Sequence, residues 1–208
     1  MNWVHPEADA ARRNLNLLTV ENMTALARRD IVIPAPYAVL VSPDATLEDG
    51  IILWPNTILQ IVGNGRISVG KGTVLFPGTR IVVSGGGTVT IGAEAEIGEE
   101  GGFTIKAEAG ETIAIGDGVR LLGGGSLTRS NRIGRGAQIL GPIRCQNCYL
   151  GDGDTYRAPE PDERGGVLKG SGVARNVEVP QGHVIQAFGL FADAVMRQQS
   201  YFHPKARP

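Results

Sequence analysis

An aliphatic residue returns every six positions from about Val41 to Ile185, and this period dictates what the chain can fold into. Three units follow one another directly: Val41-Ser-Pro-Asp-Ala-Thr, Leu47-Glu-Asp-Gly-Ile-Ile and Leu53-Trp-Pro-Asn-Thr-Ile. The beat returns at Val69, Leu75, Ile91 and Ile115, runs on through Leu127, Ile133 and Ile139, and closes at Val167, Val173 and Val179. Residues an even number of positions apart share one face of a strand. The aliphatic first residue and the small or β-branched fifth residue of each unit therefore look inward together. Gly, Pro, Asp and Asn crowd the positions between, where the chain must turn. A short strand and a corner make one flat side, and three sides close a coil of about eighteen residues. Stacked coils bury the aliphatic columns and pair each backbone with its neighbours above and below. A helical period would scatter the same residues round every face. A β-sandwich would alternate with period two and space its runs more widely.

Composition agrees. The chain has 208 residues and 30 Gly, as a corner-rich solenoid requires, and only 5% of it is aromatic, as a narrow prism allows. A net charge of -1 gives no basis for binding nucleic acid or an anionic membrane. No apolar run is long enough to span a bilayer and no signal-peptide pattern stands at Met1, so the cytoplasm is the expected compartment.

The reading divides the chain into three parts. Residues 1–40 form an N-terminal helical cap, with Thr19 as N-cap, Met23, Leu26 and Ala27 as an apolar stripe, and Pro34 and Pro36 ending the segment. Residues 41–187 form the coils, with bulges expected at 84–88 and 101–112 and a polar loop at 152–166 excluded from the stack. Residues 188–208 form a short helix and tail, whose stripe of Phe188, Phe191, Ala192 and Val195 caps the open end.

These units resemble the hexapeptide-repeat family, which reads aliphatic–Gly–x–x–small–x. The resemblance implies an all-β fold, a left-handed parallel β-helix with short helical caps, and a homotrimer. Leu53-Trp-Pro-Asn-Thr-Ile-Leu and the stretch from Leu127 to Pro142 are similar to the acetyltransferase domain of bacterial N-acetylglucosamine-1-phosphate uridyltransferase. Tyr149-Leu-Gly-Asp152 resembles the end of that family's H-L-S-Y-L-G-D word, in which the His is the base for acetyl transfer. Here Gln146 stands in its place, and an amide cannot take a proton from an amine near neutral pH. Gly170-Ser-Gly-Val-Ala-Arg-Asn-Val-Glu-Val-Pro-Gln-Gly-His-Val is similar to the closing coil of acyl-CoA-dependent hexapeptide acetyltransferases. By that resemblance Lys169, Ser171, Gly172, Ala174 and Arg175 line a groove for acetyl-CoA or another acyl-CoA.

The loop carries the densest chemistry. Asp152 and Asp154 could accept from sugar hydroxyls or an amine, Tyr156 offers a stacking face, and Arg157 and Arg164 could grip a phosphate. The same charges would also suit a merely solvated loop. His183, the one His in the coils, is either a general base or a structural side chain near the cap, and Asp154 is the other catalytic candidate. Cys145-Gln-Asn-Cys148 lacks a helix N-terminus for redox chemistry and two further ligands for zinc, and reads as a pair of small buried hydrophobes. No metal site is expected. Two functions follow: acyl transfer from coenzyme A to a sugar or nucleotide-sugar, or a catalytically lapsed trimer that binds a sugar phosphate or a protein.

Overall fold

The computed structural model describes residues 6–203; positions 1–5 and 204–208, the outer ends of the two expected caps, lie outside them. Parallel strands stack in three ladders, the three faces of a β-helix. The first face runs from Leu40–Val41 to Ile143–Gln146, the second from Thr46–Leu47 to Glu178–Val179, and the third from Ile52–Leu53 to His183–Leu190. One long strand, Val167–Arg175, serves two faces. Its first half pairs with Gln138–Leu140 on the third face and its second half with Ile143–Gln146 on the first.

The hexad residues fill the interior. On the first face Leu59, Ile81, Ile105, Leu127 and Cys145 stand in register, each fully buried. On the third face Leu53, Leu75, Ile97, Leu121 and Ile139 do the same. Each such side chain taken out of water stabilises the fold by about 1.5–3 kcal/mol.

The beat breaks for a reason other than bulging. Leu40 pairs with Ile58, a turn of 18 residues, but Ile58 pairs with Arg80 after 22 and Arg80 with Thr104 after 24. These middle coils carry a second inward residue on the first face: Ile61 behind Leu59, Val83 behind Ile81, Ala107 behind Ile105. The prism widens there: 84–88 is the turn between the strands Arg80–Ser84 and Thr88–Ile91, and 101–112 holds the regular strand Thr104–Ala107 with a turn on each side, in place of the bulges expected. The ladder slips only between Leu121 and Leu122, opposite Ile97 and Glu99, where Gly98 at φ +95° carries the extra residue.

After the loop the phase shifts by one. Val167 pairs with Gln138, an outward position, while Leu168 pairs with Ile139 and Ala174 with Cys145, both inward. The sequence puts Val167 and Val173 first in their units; the core takes Leu168 and Ala174 instead. Phase returns at Val179, which sits beside Leu150.

The N-terminal cap holds α1 (Pro6–Asn14) and α2 (Val20–Ala25). Thr19 caps α2 as expected, its hydroxyl accepting from the Asn22 N–H, and Met23 is fully buried. Helix α2 stops at Ala25, a 3-10 turn follows, and Ala27 is exposed rather than part of a stripe. Arg12 ties α1 to the 3-10 turn Pro36–Ala38 that precedes the first coil, donating to the carbonyls of Pro36 and Tyr37 and also of Leu18.

The C-terminal α-helix does not form. Phe188 lies in the strand His183–Leu190, paired with Ser171, and two 3-10 turns, Phe191–Asp193 and Gln199–Tyr201, do the capping. Only Phe191 of the expected stripe plugs the end of the core; Phe188 is 79% exposed and Val195 67%. Between the turns, Met196–Gln198 folds back antiparallel on His183–Ile185. No helix of the described residues is long and apolar enough to cross a membrane.

Candidate functional site

A polar groove lies along the first face and the corner after it. Outward positions stack there at about 4.8 Å per strand, in the order Lys106, Thr128, Gln146, Arg175. The corner beside them carries Arg129, Asn147 and Asn176, all in the left-handed region with φ of 64°, 53° and 53°. Most left-handed positions in the chain hold Gly; at this corner three side chains project instead. Asn adopts this conformation through local hydrogen bonding.

The groove is about 400 Å³ and is lined by Arg129, Gln146, Asn147, Arg175 and Asn176, with no carboxylate among them. Arg175 donates through Nε to Gln146 Oε1 at 3.0 Å, and Gln146 Nε2 donates to Thr128 Oγ1 at 3.3 Å. A guanidinium only donates, so this pair fixes which way the Gln146 amide faces. Asn147 Nδ2 donates to Asn176 Oδ1 at 3.3 Å. The groove continues into a second hollow of about 280 Å³ past Thr128 to Lys106, Glu108 and Glu111. There the Lys106 ammonium hydrogen-bonds to Glu108 at 2.6 Å and holds its carboxyl below the usual range, helped by the charge of Arg129. The main groove thus offers two guanidinium groups for an anion and three carboxamides for hydroxyls. It holds no group that takes a proton at neutral pH.

The loop residues are placed differently from the expectation. Asp152 is a corner brace: its Oδ1 accepts from the Arg135 N–H at 2.8 Å and its Oδ2 from Arg132 at 3.1 Å. Asp117 braces another corner in the same way, accepting from the Ala93 N–H at 2.7 Å. The coils approach so closely at these corners that a Cβ on Gly134 would stand 2.5 Å from the Asp152 nitrogen. Asp154 is paired with Arg135 at 3.2 Å. His183, half-buried, has its Nδ1 2.7 Å from the Gln181 carbonyl. The two residues expected to be catalytic thus have separate partners.

The rest of the loop lies down on the third face of its own chain. Arg157 pairs with Glu96 at 2.8 Å, and the Tyr156 ring stacks between the Arg157 and Arg120 guanidinium groups, 4.6 and 4.9 Å from its centroid. Arg164 donates through Nε and Nη2 to the Ala158 carbonyl, so it closes the loop rather than waiting for a phosphate.

The five residues that the resemblance assigns to coenzyme A do not form one groove in the chain. Lys169 is outward on the third face, in a cleft with Tyr156 and Arg164, whereas Arg175 is outward on the first. Ser171 and Gly172 occupy the corner between, where a Cβ on Gly172 would run into the Gly189 carbonyl. Ala174 is fully buried, its methyl in the core, because the phase shift after the loop turns it inward. Within one chain, these residues therefore do not converge on a single ligand. Among the described residues no three His, Cys, Asp or Glu side chains converge as metal ligands.

Both cysteines are free and buried, as the sequence suggests. They are hydrogen-bonded to each other. That bond brings Cys148 down to about 7, and with burial it holds Cys145 well above the ordinary thiol range. Cys148 Sγ also lies 3.3 Å from the Ala174 carbonyl, inside the prism and behind the groove.

Sequence reasoning singled out Gln146 and Arg175 but missed Arg129, Asn147 and Asn176. The signal available was a non-Gly residue at each successive corner, 18 and then 29 positions apart. Comparison with known proteins finds no family model and no curated protein that matches the chain.

Proposed function

We propose that the protein is a non-catalytic, trimeric binding module for a sugar phosphate, held in the first-face groove. The observation that carries this reading is Gln146: the position that resembles a catalytic His holds an amide, locked between Arg175 and Thr128 in the first-face groove. Arg129 and Arg175 supply the charge for the phosphate, which guanidinium groups bind bidentately. Gln146, Asn147 and Asn176 supply donors and acceptors for the sugar hydroxyls. The homotrimer and the cytoplasmic setting follow from the resemblance and from the two free thiols, which persist in reducing compartments.

Calorimetric titration with glucose 1-phosphate, glucose and inorganic phosphate tests it. Glucose 1-phosphate is expected to bind more tightly than either fragment, and Arg175→Gln or Arg129→Gln to weaken it about tenfold each. Equal binding by both variants and the parent would overturn the site. The other function the resemblance implies, acyl transfer, is read by release of free thiol from acetyl-CoA in the presence of glucosamine 1-phosphate. Turnover there would show that the chain is not catalytically lapsed.

A further inference from the structure

A second cleft, on the third face, is separate from the groove and unused by the reading above. Its floor is the strand pair Gln138–Leu140 and Val167–Arg175, where Leu140 and Lys169 stand side by side. One wall is the loop, through Tyr156. The other is the C-terminal turn, through Gln199 and Phe202, with His203 at its end.

The walls are tied together. Gln199, buried, donates through Nε2 to the Gly165 carbonyl at 2.7 Å and through its N–H to the Gly182 carbonyl at 2.7 Å. The Ser200 N–H donates to Asp162 Oδ1 at 2.8 Å. The cleft is therefore a built space, not a chance gap between a loop and a trailing end.

Its chemistry is one-sided. No carboxylate lines it, while Lys169, Arg164 and His203 do. Arg164 already donates to Ala158, but the Lys169 ammonium has no hydrogen-bond or ion-pair partner among the described residues. Around that free charge the surfaces are apolar or aromatic: Leu140, Val167, Val184, Tyr156 and Phe202. The volume is about 270 Å³. That is at or below the lower end of ligand sites, too small for a nucleotide or coenzyme A. At roughly 30 Å³ per water-sized group it holds about nine non-hydrogen atoms.

We propose that this cleft binds a small free organic carboxylate with an apolar or aromatic body. Its carboxylate meets the Lys169 ammonium, and its body lies on Leu140 between Tyr156 and Phe202. The amides of Gln138 and Gln199 close the polar end.

Benzoate is the probe, and benzamide, of the same shape without the charge, is its control. Titration of the full chain is followed by calorimetry and by the chemical shifts of the Tyr156 and Phe202 rings. One benzoate is expected to bind per chain, about tenfold more tightly than benzamide. Lys169→Gln is expected to remove that advantage, leaving benzamide unchanged and the thermal midpoint intact, and Lys169→Arg to restore most of it. Arg175→Gln, on the other face, is expected to leave benzoate binding unaltered, so failure of the groove and failure of the cleft are told apart. Equal affinity for the two probes, an unmoved Lys169→Gln, or no benzoate binding would each overturn the proposal.

Discussion

Cys145 and Cys148 are hydrogen-bonded to each other inside the prism, and each thiol's acidity depends on the other. A thiol hydrogen bond to a sulfur stabilises the acceptor's anion, so Cys148 titrates at about 7 only while Cys145 donates to it. Ultraviolet thiolate absorbance across a pH titration is expected to show one step near that value. In Cys145→Ala the step moves up towards the ordinary thiol range, since the largest stabilising contact of the thiolate is lost and burial is then opposed only by the backbone at Val177 and Gln146. A step unmoved by that substitution would show that the sulfurs are not coupled. The sequence placed both residues inside, because Cys145 falls on a hexad position. It could not show their mutual contact, which arises where the left-handed Asn147 folds the chain between them.

At the scale of elements, the excluded loop costs the pattern its phase. Val167 and Leu168 are both aliphatic, so composition leaves open which one enters the core. Pairing with Ile139 selects Leu168, and the same shift makes Ala174 rather than Val173 internal. Leu168→Ala is expected to cost about 3 kcal/mol, and Val173→Ala, half-exposed, less than about 1 kcal/mol, by urea unfolding at fixed protein concentration. The opposite order would restore the unbroken hexad. The C-terminal stripe shows a related ambiguity. Phe188, Phe191, Ala192 and Val195 fit a helical period, yet the strand edge of Val167–Arg175 offers Phe188 a ladder of hydrogen bonds, and that ladder wins. The loop's length marked it as special, but its landing place could not be read, because Tyr156 and Arg157 meet Arg120 and Glu96 across the stack rather than along the chain.

For the whole molecule, the three-faced solenoid was legible from the beat, and so was its capped beginning. Its swelling in the middle was not, since two extra residues on a face leave the local alternation unchanged and alter only the spacing. The trimer proposed from the family likeness is checked by light scattering. A mass about three times the chain's 22.0 kDa is expected, and a mass near one chain would remove it.

Because each coil's strands pair only with those of the coils before and after it, the ladder can be built in the order in which the chain is made. Every strand from Ile58–Val62 to Ile143–Gln146 on the first face finds its earlier partner already 18 to 24 residues behind it. A nascent chain can therefore bury its beginning while its end is still being synthesised. The groove follows once Arg175 and Asn176 have emerged. The cleft must wait for Gln199 and Phe202, so it forms after the groove.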